Sequence, residues 1–269
     1  MIVLMIVLLV VLVVIGLPVG FSIGFSSIFY YLIEDARNLM IVPQRIWSGS
    51  FSFVIIAMPL FILAGELMNT SGITNRLIAV CRYIVRPFGG GLGEVNIVAS
   101  MIFGGISGSS VADTAAIGSI LIPAMEKEKY PKSFAAGVTV ASSTMGMIIP
   151  PSVPMIMYAM VSSESIGKLF MAALIPGISI GLVQLVLCYI ISKRKGYLPE
   201  KTRFDRSHFF KTMISGLPAI VLPIIIILFV STGICTASES AGIAVLYALI
   251  LGLFVYKELT WKDIVHCAS

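Results

Sequence analysis

The sequence has 269 residues, of which 58% are hydrophobic and 12% charged, and a net charge of +5. Soluble domains carry roughly 25% charged residues, so this chain has too little polar surface to cover a water-soluble globule, and lipid is its solvent. The basic excess does not point to nucleic acid: lysines and arginines fall in short loops between apolar stretches, the pattern of cytoplasmic loops in membrane proteins.

A bilayer core about 30 Å thick needs about 20 apolar residues per helical crossing. The first stretch, Ile2–Ile33, reads as one long helix or two short ones, with Pro18 at the kink. Its opening run Ile2–Ile15 lacks a preceding basic residue and a following small-x-small cleavage pattern, so it reads as a membrane helix rather than a signal peptide. Trp47–Gly65 is the next expected span, closed by Glu66. Gly89-Gly90-Gly91 reads as a flexible joint.

Gly91–Met125 is different: 35 residues with only two charges, Glu94 and Asp113. As a single helix it would run to about 52 Å, too long for one crossing and too short for two complete ones plus a turn. Its middle reads Gly104-Gly105-Ile106-Ser107-Gly108-Ser109-Ser110, where helix-weakening residues mark a turn. Two arms of about 22 Å each reach most of the way across and return, a re-entrant hairpin.

Ser133–Ser163 has 31 residues without a formal charge and contains Ser142-Ser143-Thr144 followed by Ile148-Ile149-Pro150-Pro151-Ser152-Val153-Pro154. Proline donates no backbone bond and clashes with the carbonyl four residues back. Pro150, Pro151 and Pro154 therefore release the carbonyls of Gly146, Met147 and Pro150, and the helix must break near mid-membrane. Leu169–Ser192, Thr212–Thr232 and Ala237–Tyr256 follow as ordinary spans.

Loop charges give an orientation. The hairpin is flanked by Arg76, Arg82 and Arg86 before it and by Lys127, Lys129 and Lys132 after it, so both flanks read as cytoplasmic. The loop at Ser162–Gly167 carries only Glu164. The next basic cluster is Lys193-Arg194-Lys195, then Ser231–Ser240 carries only Glu239, then come Lys257 and Lys262. The alternation holds if Gly91–Met125 turns back on itself.

A hairpin tip meeting a broken helix at the membrane midplane is a way to build an ion and substrate site. Unwound carbonyls and hydroxyls are hard oxygen ligands for Na⁺, and helix N-termini offer unsatisfied N–H groups to a carboxylate. The candidate ion- and substrate-binding residues are Ser107, Gly108, Ser109, Ser110, Asp113, Ser142, Ser143, Thr144, Gly146, Met147 and Pro150, with Na⁺ expected near Ser107, Ser109, Gly146 and Met147. Asp113 has two readings: a cap for the second arm through Ser110-x-x-Asp, or a cation-attracting group, because an ionisable residue at this depth is costly. Thr236-x-x-Glu239 reads as a helix cap, and Glu66 as a helix end or interdomain contact. The glycines at 104, 105 and 108 also permit close helix packing. The 14 methionines read as core and lipid contacts.

The four cysteines show no CxxC spacing and the two histidines have no second ligand nearby, so neither a disulfide framework nor a zinc site is expected. Gly105-Ile106-Ser107-Gly108 loosely has the form of a nucleophilic serine in a glycine setting, but no general base lies beside it. No enzyme activity and no cofactor beyond the coupling ion are expected. A non-transporting scaffold has little use for a hairpin and a triple-proline break at one depth.

Gly104–Gly118 (GGISGSSVADTAAIG) resembles the first hairpin of the large membrane subunit of TRAP transporters, the DctM-like family. Ala141-Ser142-Ser143-Thr144-Met145-Gly146, leading into Ile149-Pro150-Pro151-Ser152, resembles its first broken helix. Pro59–Met68, Ile166–Phe170 and Thr236–Ala241 are similar to it in the same order. The resemblance implies an all-α integral membrane protein with an elevator-type fold, coupled to Na⁺ in a bacterial inner membrane. It implies a small four-helix membrane partner, a periplasmic substrate-binding protein and organic acids such as C4-dicarboxylates or sialic acid. It divides the chain into scaffold and connecting helices over 1–90, a transport-domain hairpin and broken helix over 91–167, and further helices over 168–269. The family has two inverted repeats of which this chain shows one, so it reads as roughly the first 60% of a member, and an inactive fragment is one reading kept open. The other reading kept open is a single-polypeptide anion carrier that needs no binding protein.

Overall fold

The computed structural model describes residues 1–34, 36–50, 53–88, 91–197 and 206–268. Among the described residues every regular element is helical. Clustering of contacts separates Met1–Phe53 from Val54–Ser269.

In the first unit, α1 (Ile2–Val14) and α2 (Val19–Glu34) pack against each other. The apolar run is therefore two helices. Gly16 turns the chain in a left-handed conformation (φ +97°), and Pro18 stands immediately before α2, where a missing N–H costs nothing. A 3₁₀ turn (Ala36–Met40) and α3 (Ile41–Ser50) follow. Both α1 and α2 leave most of their apolar side chains exposed.

The second unit opens with α4 (Phe53–Thr70), so the chain expected as the Trp47–Gly65 span is shared between α3 and α4, with 51–52 outside the described residues. Glu66 does not end α4; the helix runs another turn to Thr70, whose hydroxyl bonds back to the Glu66 carbonyl. Next is α5 (Ile73–Val85), which burial explains: Ile73, Leu77, Ile78, Cys81 and Val85 recur at helical spacing and face inward. Arg76 projects from α5 over the Tyr256 ring at 4.1 Å and pairs with Glu258.

The hairpin is α6 (Leu92–Ser107) and α7 (Ser110–Lys127). Of the expected glycine joint, residues 89 and 90 lie outside the described residues; Gly91 stands at the N-cap of α6, and its N–H donates to the Glu94 carboxylate at 2.7 Å. The broken helix is α8 (Lys132–Ser143), a 3₁₀ turn over Thr144–Met147, non-helical chain through Ser152, and α9 (Val153–Ser162). Then come α10 (Ile166–Lys195), α11 (Arg206–Thr232) and α12 (Ala237–Ile250), which ends in a π-helical turn at Leu251–Val255, and finally α13 (Trp261–Ala268). Thr236 and Glu239 cap α12 reciprocally, as the sequence pattern predicts.

In the second unit α6, α7 and α8 pack together, α5 and α10 lie against α6, and α11 joins α5, α10 and α12. Phe61, Phe103, Ile117, Leu121, Met125, Phe170 and Leu222 fill the centre. The outer faces are apolar too: Ile175 on α10 is 75% exposed and Ile214 on α11 is 72% exposed. Apolar side chains inside and outside are what a bilayer solvent demands. Helices α10, α11 and α12 with its π turn are long and apolar enough to cross a membrane. This is a multi-pass membrane protein.

Candidate functional site

Two glycines let the hairpin and the broken helix meet backbone to backbone. A Cβ on Gly104 would stand 2.7 Å from Gly146 Cα, and one on Gly146 would stand 3.3 Å from the Ser109 carbonyl oxygen. Gly108 turns the tip with φ +60°, a conformation that favours glycine, and a Cβ there would lie 2.9 Å from the Pro151 oxygen. Its carbonyl accepts from the Val153 N–H at 3.3 Å, which joins tip to break. From the other side Gly65 on α4 presses on the tip, where a Cβ would be 3.0 Å from Ser107 Cα.

Within the break the peptide bond between Pro150 and Pro151 is cis. The Met147 carbonyl, deprived of a helical donor by Pro151, accepts instead from the buried Ser152 hydroxyl at 2.6 Å. Ser109 caps α7 by accepting from the Ala112 N–H at 3.4 Å. Asp113 does not act as a cap: both its oxygens are buried without a hydrogen-bond partner.

A cavity of about 300 Å³ opens where these pieces meet. Ser107, Gly108, Ser109 and Ser110 of the tip line it with Met147 of the break, together with the first turns of α7 and α9 and with Ile62, Gly65 and Glu66 of α4. Two kinds of helix end converge there. α6 and the 3₁₀ turn finish at the cavity, presenting carbonyl ends, while α7 begins there, presenting N–H ends; α9 also begins there, but its Val153 N–H is given to the Gly108 carbonyl and Pro154 has none. Carbonyl ends favour a cation and N–H ends an anion.

The remaining expected site residues lie off the cavity wall. Ser142 and Ser143 are buried and turned into the hairpin: Ser142 Oγ is 3.0 Å from Ser100 Oγ, and Ser143 Oγ accepts from Thr114 at 2.6 Å. The Thr144 hydroxyl folds back onto the Ala141 carbonyl at 2.7 Å. Gly146 and Pro150 are buried in the seam between tip and break, where Gly146 meets Gly104 and the Pro150 oxygen meets Gly105. Asp113 is enclosed behind the first turn of α7. The sequence reading missed the α4 contribution. A Gly-Glu pair inside an otherwise apolar segment was the available signal.

The sequence matches the tripartite ATP-independent periplasmic transporter family, DctM component, over residues 6–268. The chain belongs to this family. It is 38% identical over 242 residues to the sialic acid TRAP transporter large permease protein SiaM of Vibrio cholerae, covering 89% of this chain and 56% of that protein. It is 36% identical over 232 residues to the 2,3-diketo-L-gulonate TRAP transporter large permease protein YiaN of Escherichia coli, covering 86% of this chain and 54% of YiaN. Against the C4-dicarboxylate TRAP transporter large permease protein DctM of Pseudomonas aeruginosa the identity is 34% over 237 residues, 88% of this chain and 55% of DctM. The chain thus spans about half the length of these relatives. They are transport permeases rather than enzymes.

Proposed function

We propose that this DctM-family chain is the first part of the large membrane permease of a Na⁺-driven importer of an organic acid. The observation that carries the reading is the convergence, on one cavity, of the N–H start of α7 with the carbonyl ends of α6 and the 3₁₀ turn. A carboxylate sits against the first-turn N–H groups of α7. Na⁺ sits among the carbonyls and hydroxyls around Ser107, Ser109 and Met147 at the cavity, beside Gly146 in the adjoining seam. Neither needs a positively charged side chain in the apolar slab, where such a residue is costly.

The names of the three relatives specify carboxylic acids: sialic acid, 2,3-diketo-L-gulonate and C4-dicarboxylates. The substrate class proposed here is accordingly a carboxylate-bearing small metabolite. Partnership follows the family's tripartite description: a small membrane subunit beside this one and a periplasmic binding protein that delivers the acid across from an inner-membrane site. The hairpin and broken helix over 91–167 form the moving part of an elevator-type carrier, and a second, inverted repeat supplies the other half of the site.

The test is uptake of labelled organic acids into liposomes by the complete complex, with and without an inward Na⁺ gradient and with and without the binding protein. The reading expects uptake only with both. Uptake indifferent to Na⁺ removes the coupling, and uptake without the binding protein favours a self-sufficient carrier.

A further inference from the structure

Another cavity, of about 320 Å³, opens between α5, the beginning of α11 and the chain that follows α12. Asn75, Arg76, Thr212, Ser215 and Glu258 line it. Loop charge assigns Arg76, and Lys257 beside Glu258, to the cytoplasmic side, and the structure brings these separate flanks together. Depth agrees. Pro223 of α11 packs on Gly105 near the hairpin tip, and Thr212 stands 11 residues earlier, about 16 Å along the helix. That is about half the thickness of a hydrocarbon core. With the tip near mid-membrane, Thr212 lies at headgroup level, and the apolar span Thr212–Thr232 begins there. Toward the hydrocarbon, α11 next exposes Ile214 and Leu217.

The cavity holds one cation and one anion side by side. Arg76 is fixed on three sides: its guanidinium lies over the Tyr256 ring at 4.1 Å, its Nη1 donates to the Gly72 carbonyl at 3.1 Å, and its Nη2 donates to Glu258 Oε1. Tyr256 is held in turn by its hydroxyl, which donates to the Ser215 carbonyl at 2.6 Å. Gly72 has φ +70°, and a Cβ there would strike Glu258 Oε2, so glycine leaves this corner to the ion pair. A guanidinium carries five N–H donors, and two of them have a protein acceptor among the described residues. Glu258 Oε2, the Asn75 amide and the Thr212 hydroxyl have no hydrogen-bond partner among the described residues. Open donors around a fixed guanidinium suit a phosphate. An open carboxylate oxygen beside them suits an ammonium.

We propose that this cavity binds the phosphoethanolamine headgroup of a membrane lipid in the cytoplasmic leaflet. The phosphate accepts from Arg76, the Asn75 amide and the Thr212 hydroxyl. The primary ammonium donates to Glu258 Oε2, and the acyl chains follow the exposed apolar side chains of α11. A wholly anionic headgroup meets Glu258 with no compensating charge, and a phosphocholine has no N–H to give it. The bound lipid ties α5, α11 and the chain after α12 together. This site is independent of the reading of the tip cavity.

The test is titration of the complete, delipidated transporter with phosphatidylethanolamine, phosphatidylcholine and phosphatidylglycerol, read by native mass spectrometry and by thermal unfolding. Phosphatidylethanolamine is expected to occupy one site per chain about tenfold more tightly than the other two and to raise Tm. Glu258→Gln removes the anion and leaves the Arg76 charge, so it is expected to invert the order and favour phosphatidylglycerol; an ion pair with a merely structural role gives no such inversion. Thr212→Val leaves the ion pair intact, is expected to weaken phosphatidylethanolamine binding about threefold, and decides the matter if Glu258→Gln does not fold. Soluble glycerophosphoethanolamine is expected to compete far more weakly than the lipid; equal competition would overturn the membrane as the source of the ligand. Equal affinity for the three lipids, a wild-type preference for phosphatidylglycerol, an unchanged order in Glu258→Gln, or unchanged affinity in Thr212→Val overturns the proposal.

Discussion

Gly104→Ala should disable the permease while changing only one methyl group. A Cβ at position 104 would lie 2.7 Å from Gly146 Cα and 3.0 Å from Gly146 N, both backbone atoms. Carbon atoms in contact prefer about 3.5–4.0 Å, so the hairpin and the break must separate by about 1 Å. No side-chain rotation relieves the clash. Overpacking of this kind costs about 1–3 kcal/mol, and the upper end applies because backbone opposes the new methyl. Separation also pulls the tip away from the break at the cavity they share, and misplacement of this size reduces function on the order of a hundredfold in tightly organised sites. Gly137→Ala is the matched control: it sits on the exposed face of α8 with nothing within 4 Å of the added methyl. There the substitution should stabilise the helix by about 0.5–1 kcal/mol. The assays are thermal unfolding of the purified protein and initial uptake rates by the reconstituted complex. Wild-type stability and uptake in Gly104→Ala, or equal losses in the two variants, would refute the claim that the glycines exist to let these backbones touch.

Other substitutions probe separate parts of the account. Ser152→Ala removes the donor to the Met147 carbonyl and should cost about 1–3 kcal/mol, read by thermal unfolding; a neutral result would mean that water or another group already serves that carbonyl. Glu66→Gln removes a negative charge from the cavity wall and should lower the KM for the organic acid several-fold, whereas a raised KM would show that the carboxylate contacts the substrate or its cation favourably. Arg76→Lys loses the stacking on Tyr256 and weakens a half-exposed ion pair; unfolding measurements should find a cost of no more than about 1–2 kcal/mol.

The breaks in regular structure were legible in the sequence because their causes are local. Gly108 and the Pro150–Pro154 run act on the backbone within a few residues, and the structure interrupts its helices at both places. Spans ending in charge clusters, such as the one leading to Lys193, were readable for the same reason, although α10 continues to Lys195 because lysine is a good helix former near a C-terminus. Long-range contacts were less accessible. Nothing near Gly65 in sequence reveals that its Cα faces Ser107, and nothing near Glu66 shows that it lines the tip cavity. The serines were identified as polar groups at the right depth, but their orientation depends on helix rotation. Hence Ser107 and Ser109 face the cavity, while Ser142 and Ser143 turn inward to Ser100 and Thr114. The amphipathic period of α5 was present in the sequence but masked by its arginines, which also serve as loop charges.

The most direct measurement of the central claim is a structure of the complete transporter in a lipid nanodisc with Na⁺ and its organic acid bound. The account expects the acid's carboxylate within hydrogen-bonding distance of the backbone N–H groups in the first turn of α7. Substrate bound elsewhere, with those N–H groups facing an unoccupied cavity, would contradict it.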